Sequence, residues 1–146
     1  MRTCRHRVRK GGFGLFLGLA AEAARLPVAP SLGVPVSDRV WLDASEVHHA
    51  YYGNRLALNE RELGRMRLGL GHVAGGVERV ETSPYVLISV RTLQIIEVDY
   101  AEAALAPAIA GWVTEEFALP PRRYDVSRED AIGPGQFVRH AKSFLT

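Results

Sequence analysis

At 146 residues the chain has the length of a single domain, enough for folding to withdraw roughly two-thirds of the unfolded surface from water. Its 47% apolar and 23% charged residues exclude a disordered or fibrous chain. The net charge of +2 is unevenly placed: Arg2, Arg5, Arg7, Arg9 and Lys10 take five of the 18 basic residues, leaving 13 against 16 acids (−3) over residues 11–146, which argues against a basic nucleic-acid surface built into the fold.

The basic start, the short apolar stretch Gly11–Ala21 and the small-x-small triplet Ala21-Glu22-Ala23 have the layout of an export signal. Gly11, Gly12, Gly14 and Gly18 weaken it as a helix, and a basic arm leading into an ordinary helix over Leu15–Leu26 explains the same residues. A cytoplasmic location is therefore the expectation, with export as the alternative. Cys4 is the only cysteine, so neither an intramolecular disulfide nor a thiolate zinc site is expected. No run reaches the ~18–20 apolar residues of a membrane span, so no integral membrane segment is expected. Residues 26–37 hold three prolines in twelve positions, which blocks helix and reads as a linker. The chain thus divides into an arm or targeting segment with its linker, residues 1–36, and a globular domain, residues 37–146.

Within that domain Asp38–Leu42 predicts a short strand. Asp43 with Glu46 has the spacing of a capping box opening a helix over Asp43–Tyr52, which Gly53 stops. Asn59 with Glu62 opens a second helix, with Leu63, Met66 and Leu70 on one face and the cluster Gly69, Gly71, Gly75 and Gly76 as its terminator. Val77–Glu81 and Tyr85–Tyr100 carry the strand signal, since Val86, Ile88, Val90, Ile96, Val98 and Tyr100 share one parity. Sixteen residues is long for one strand, so a hairpin near Arg91-Thr92 is expected, with a bulged continuous strand as the alternative. Asp99 with Glu102 opens a third helix carrying Leu105, Ile109, Trp112, Val113 and Phe117, with Pro107 as a kink or part of its first turn. Pro120-Pro121 ends it, and shorter helices follow at Ser127 and at Phe137–Leu145. This order predicts an α+β single domain, a small mainly antiparallel sheet packed against several helices.

The residues of chemical interest fall in two places. The segment Asp43–Tyr52 holds Glu46, His48, His49, Tyr51 and Tyr52. Glu46 and His49 have the i, i+3 spacing of carboxylate-bridged metal bundles, but such a site needs a second copy, and adjacent histidines on a helix diverge by about 100°. The second place is Arg139-His140-Ala141-Lys142-Ser143. His48 or His49 with Arg139, His140, Lys142 and Ser143 would supply the base, acid and cation of metal-independent RNA cleavage. The order of a His-bearing helix, a second helix, a sheet and a late Lys-Ser resembles small toxin-type ribonucleases, without a diagnostic motif of that group.

Gly69-Leu70-Gly71-His72-Val73-Ala74 matches the relaxed dinucleotide fingerprint, yet a helix precedes it where a strand is required. No hydrolase or Walker signature occurs, and no cofactor is expected. Tyr124 after Arg122-Arg123 is a lone stacking candidate for bases. The resulting expectation is a small non-catalytic binding or accessory protein, its partner a protein or RNA, with the ribonuclease-like enzyme as the alternative.

Overall fold

A computed structural model describes residues 2–10, 13–95 and 102–120, with side chains from Leu17 onward. Its elements are β1 Arg2–Lys10, β2 Phe13–Leu26, β3 Val34–Pro35, β4 Val40–Asp43, β5 His48–His49, α1 Glu60–Val80, β6 Tyr85–Ile95 and α2 Leu105–Glu116, the last entered through a 3-10 turn at Glu102–Ala104. The strands form one sheet in the order β1-β2-β6-β4-β3, and β5 pairs with β6 further along the edge that β4 occupies. The α+β class holds. The sheet is mixed: its long pairings, β1 with β2 and β2 with β6, are antiparallel, whereas the short β4 and β5 run parallel to β6, and two α-helices rather than several occur among the described residues. A parallel pair needs a crossover connection, and α1 supplies it between β4 and β6.

The segment expected to be an arm and linker instead provides an interior strand. β2 pairs with β1 on one side and along the length of β6 on the other. Leu17, Leu19 and Ala21 are wholly buried, so the core does not begin at residue 37. Residues 15–26 form strand rather than helix because β1 and β6 pair with them on both sides, and Leu17, Leu19 and Ala21 then share a buried face. Gly18 leaves room for the neighbouring strand: a Cβ there would lie 2.9 Å from the Cβ of Gln94, which cannot swing aside as the end of that side chain can. The proline-rich stretch also joins the sheet, since Val34 and Pro35 pair with Leu42 and Trp41 at its edge, where a missing proline donor is tolerated.

β6 is the bulged continuous strand and not a hairpin at Arg91-Thr92. Its register against β2 steps from Ala20↔Thr92 to Ala21↔Val90, leaving Arg91 as the extra residue. The bulge moves the buried parity from Val86, Ile88 and Val90 to Leu93. The expected continuation through Ile96, Val98 and Tyr100 lies outside the described residues, as do Asp99 and everything after Pro120.

α1 begins as its sequence predicts. The Asn59 side chain accepts from the Glu62 backbone N–H at 2.8 Å, and Glu62 Oε1 accepts from the Asn59 N–H at 3.0 Å. The glycine cluster does not end it; the helix runs through all four glycines and absorbs the strand expected at Val77–Glu81. Gly69 sits where α1 crosses α2, and a Cβ there would come within 2.2 Å of the Ala106 carbonyl oxygen and 2.7 Å of its Cα. Gly64, in the same helix, would meet nothing within 4 Å.

On α2 the expected stripe Leu105, Ile109, Trp112, Val113 and Phe117 is buried. Ala106, Pro107, Ala108 and Ala110 are buried as well, so over Leu105–Val113 this helix is apolar around its circumference, as an interior stretch must be, and only its last residues, Thr114–Glu116, turn polar. Pro107 lies in the first turn, where its missing N–H costs no helical bond. Among the described residues no helix is long and apolar enough to cross a membrane.

Polar contacts close the far end of α1. The Arg39 guanidinium donates to the carbonyls of Glu81 (3.0 Å), Ser83 (2.8 Å) and Glu78, satisfying acceptors at and just beyond the helix end. Arg25 on β2 donates to Glu81 at 2.9 Å and lies 4.8 Å over the Phe117 ring at the end of α2. The Ser37 hydroxyl (2.6 Å) and the Arg39 backbone N–H (3.0 Å) donate to Glu78 Oε2 and hold that carboxyl below its ordinary pKa. The Ser83 hydroxyl and the Arg25 guanidinium do the same for Glu81.

Two outcomes are expected. Gly69→Ala should destabilise the fold by about 1–3 kcal/mol or more, because backbone must move, whereas Gly64→Ala should raise stability by up to about 1 kcal/mol from helix propensity alone. Urea denaturation of both variants checks the contrast, and equal midpoints would remove the role given to the crossing. Second, carboxyls with a lowered folded pKa stabilise the fold above their unfolded value near 4.5, and that contribution is lost as the pH falls through the folded values. Glu78→Gln should therefore lower the melting temperature at pH 7 and differ little from the parent near pH 3; a difference that does not shrink with acidification would contradict it.

Candidate functional site

The chemistry-bearing stretch after β4 is not a helix. Asp43 Oδ1 accepts from both the backbone N–H (3.0 Å) and the hydroxyl (2.6 Å) of Ser45, an Asx turn that takes the place of the expected capping box. The chain then enters β5, returns through a turn at Gly53 (φ +75°), and bridges back from Arg55 to His48. Val47 and His49 are buried on this extended stretch while Glu46 is exposed, so the carboxylate and imidazole do not share the helical face that the i, i+3 spacing implies. Arg55 donates to the Ser45 carbonyl at 2.8 Å, closing the loop over its start.

His49 is the staple of this loop. Its Nδ1 accepts from the backbone N–H groups of Tyr51 (3.1 Å) and Tyr52 (3.3 Å), which makes Nε2 the protonated nitrogen of the neutral ring. That Nε2–H donates to the Ile95 carbonyl at 3.3 Å. With both nitrogens engaged, the ring offers no lone pair to a substrate proton. The Tyr52 ring packs 4.7 Å from the imidazole, and the Tyr51 hydroxyl accepts from Gln94. Both tyrosines remain open to solvent, at 62% and 82% exposure. His48 is half-buried beside it. Arg139, His140, Lys142 and Ser143, the other half of the ribonuclease constellation, lie outside the described residues, as does Tyr124. Among the described residues no group of three metal-ligating side chains forms.

A groove of about 600 Å³ opens instead at the carboxyl end of β4. One wall is Leu42, Asp43, Ala44 and Ser45, the opposite wall is Glu60, Leu63, Gly64 and Arg67 on the first two turns of α1, and Gly33 with Val34 closes the side. Gly64 and Arg67 also line a second, shallower depression of about 400 Å³ running on past Val36, Leu68 and Gly71. Position follows from topology, because a strand feeding a crossover helix leaves a crevice beyond its carboxyl end. Asp43 is 7% exposed, and no cation lies within ion-pair distance of it among the described residues. In the sequence Asp43 reads only as a helix cap. The Asp-x-Ser spacing after a strand is the signal that bears on it, since Asp and Ser in that relation also make an Asx turn.

The glycine-rich run Gly69–Ala74 lies within α1, and its first glycine is explained by contact with α2. Comparison with known protein families finds no match, and comparison with curated proteins likewise finds none.

Replacing His49 by alanine should free the loop rather than delete a reactive group. Amide exchange at Tyr51 and Tyr52 is expected to accelerate, with a stability loss of roughly 1–3 kcal/mol for the orphaned backbone donors. Exchange rates unchanged at both amides would show that the imidazole does not hold the turn.

Proposed function

We propose that this chain is a small non-catalytic binding protein whose ligand enters the groove at the carboxyl end of β4. The observation that carries the reading is the groove itself: its volume of about 600 Å³ falls in the range of small-molecule sites, and leucine, valine and alanine walls surround few polar groups. Gly64 supports it. A glycine inside a helix costs about 1 kcal/mol relative to alanine, and this one has no packing partner that requires it, yet it keeps the groove wall open. The ribonuclease alternative draws no support from His49, whose nitrogens are both committed to backbone partners.

A neutral apolar dye, N-phenyl-1-naphthylamine, tests the site. The wild-type protein should enhance its fluorescence, and Gly64→Leu, which places a side chain into open space without disturbing the core, should weaken binding roughly ten-fold or more while the denaturation midpoint does not fall. Equal binding by the two proteins, or no binding by the wild type, overturns the proposal.

A further inference from the structure

Resting on that reading of the groove, we infer that its ligand carries a primary ammonium group, held by the Asp43 carboxylate, on an otherwise apolar body. A carboxylate nine-tenths withdrawn from water is costly unless a counter-charge or donors satisfy it. Asp43 is 7% exposed, and both of its hydrogen bonds, from the Ser45 N–H and hydroxyl, fall on Oδ1. Among the described residues nothing donates to Oδ2 and no lysine, arginine or histidine pairs with the group. The residue lines the groove, so an incoming cation is the partner it lacks.

The form of that cation follows from the same contacts. A guanidinium forks onto both oxygens of a carboxylate, but Oδ1 is already occupied twice, which leaves one acceptor for a compact ammonium. A divalent metal would need more ligands than this site brings, since no third metal-ligating side chain joins Asp43 and Glu60 among the described residues. An anion is disfavoured despite the nearby start of α1. The Asn59 and Glu62 side chains already cap that end, and Glu60 adds a negative charge to the groove wall. Arg67, the one cation on the walls among the described residues, is exposed and can keep its head in water while its stem lines the groove. Leu42, Leu63 and Val34 then face the apolar remainder of the ligand.

Displacement of the bound dye at pH 7 by 1-hexylamine and by 1-hexanol, molecules of matched size, tests the charge. The amine is protonated at that pH and should displace at roughly ten- to hundred-fold lower concentration than the alcohol, the span expected for a charge-assisted hydrogen bond. Asp43→Asn keeps an Oδ1 acceptor for Ser45 and should erase the preference while still binding the dye. The inference is overturned if the wild type does not prefer the amine, or if the preference survives Asp43→Asn. Dye binding that is retained by the wild type and lost in Gly64→Leu would in either case leave the groove reading standing, whereas no dye binding at all would sink both.

Discussion

Where α1 crosses α2 the two backbones approach so closely that a single methyl group at Gly69 would collide with the Ala106 peptide. Both helices can therefore be held together at one crossing. α2 packs on β1 and β2, α1 packs on β4, and the two pack on each other. The consequence for α2 is burial around nearly its whole circumference over Leu105–Val113, for which its Leu, Ala, Ile, Trp and Val content suits it. The consequence for α1 is that Met66, Leu70, Val73, Ala74 and Val77 form its inward face, while its first two turns overhang the end of β4.

The two ends of α1 are treated differently, and the difference bears on function. At its carboxyl end the polar groups are mutually satisfied: Arg39 takes three carbonyls, Ser37 and Arg39 satisfy Glu78, and Arg25 joins Glu81 to the Phe117 ring. Such a network ties β2, the start of β4 and both helices together. At its amino end the capping box closes the helix itself, yet among the described residues no donor reaches the second oxygen of the neighbouring Asp43, which lies beside an open space. An incompletely paired charge next to a cavity is where a fold holds capacity for a ligand.

The loop between β4 and α1 shows how local chemistry yields to pairing. Asp43 and Glu46 have the spacing of a helix cap, but β6 offers an unpaired edge beyond β4, and the main chain at His48 and His49 fills it. His49 then serves the loop through both ring nitrogens, which turns a residue type associated with catalysis into a structural one.

From the sequence alone came the features with short range: the α+β class, the Asn59/Glu62 cap, the buried stripe from Leu105 to Phe117, and the alternation of Val86, Ile88 and Val90. Each depends on neighbours within a few residues, so spacing carries it. Tertiary structure alone decided that residues 13–26 are strand, since Ala, Leu and Glu favour helix and only Gly18 against Gln94 and two flanking strands select the extended form. It also decided that the glycines of α1 continue the helix, because the partner that needs Gly69 is Ala106, 37 positions away in the chain. The groove belongs to the same class. Asp43 and Gly64 are unremarkable in the sequence, and they become opposite walls of one space only when β4, α1 and β6 form a parallel crossover, a pairing whose cost and reward lie entirely in long-range contacts.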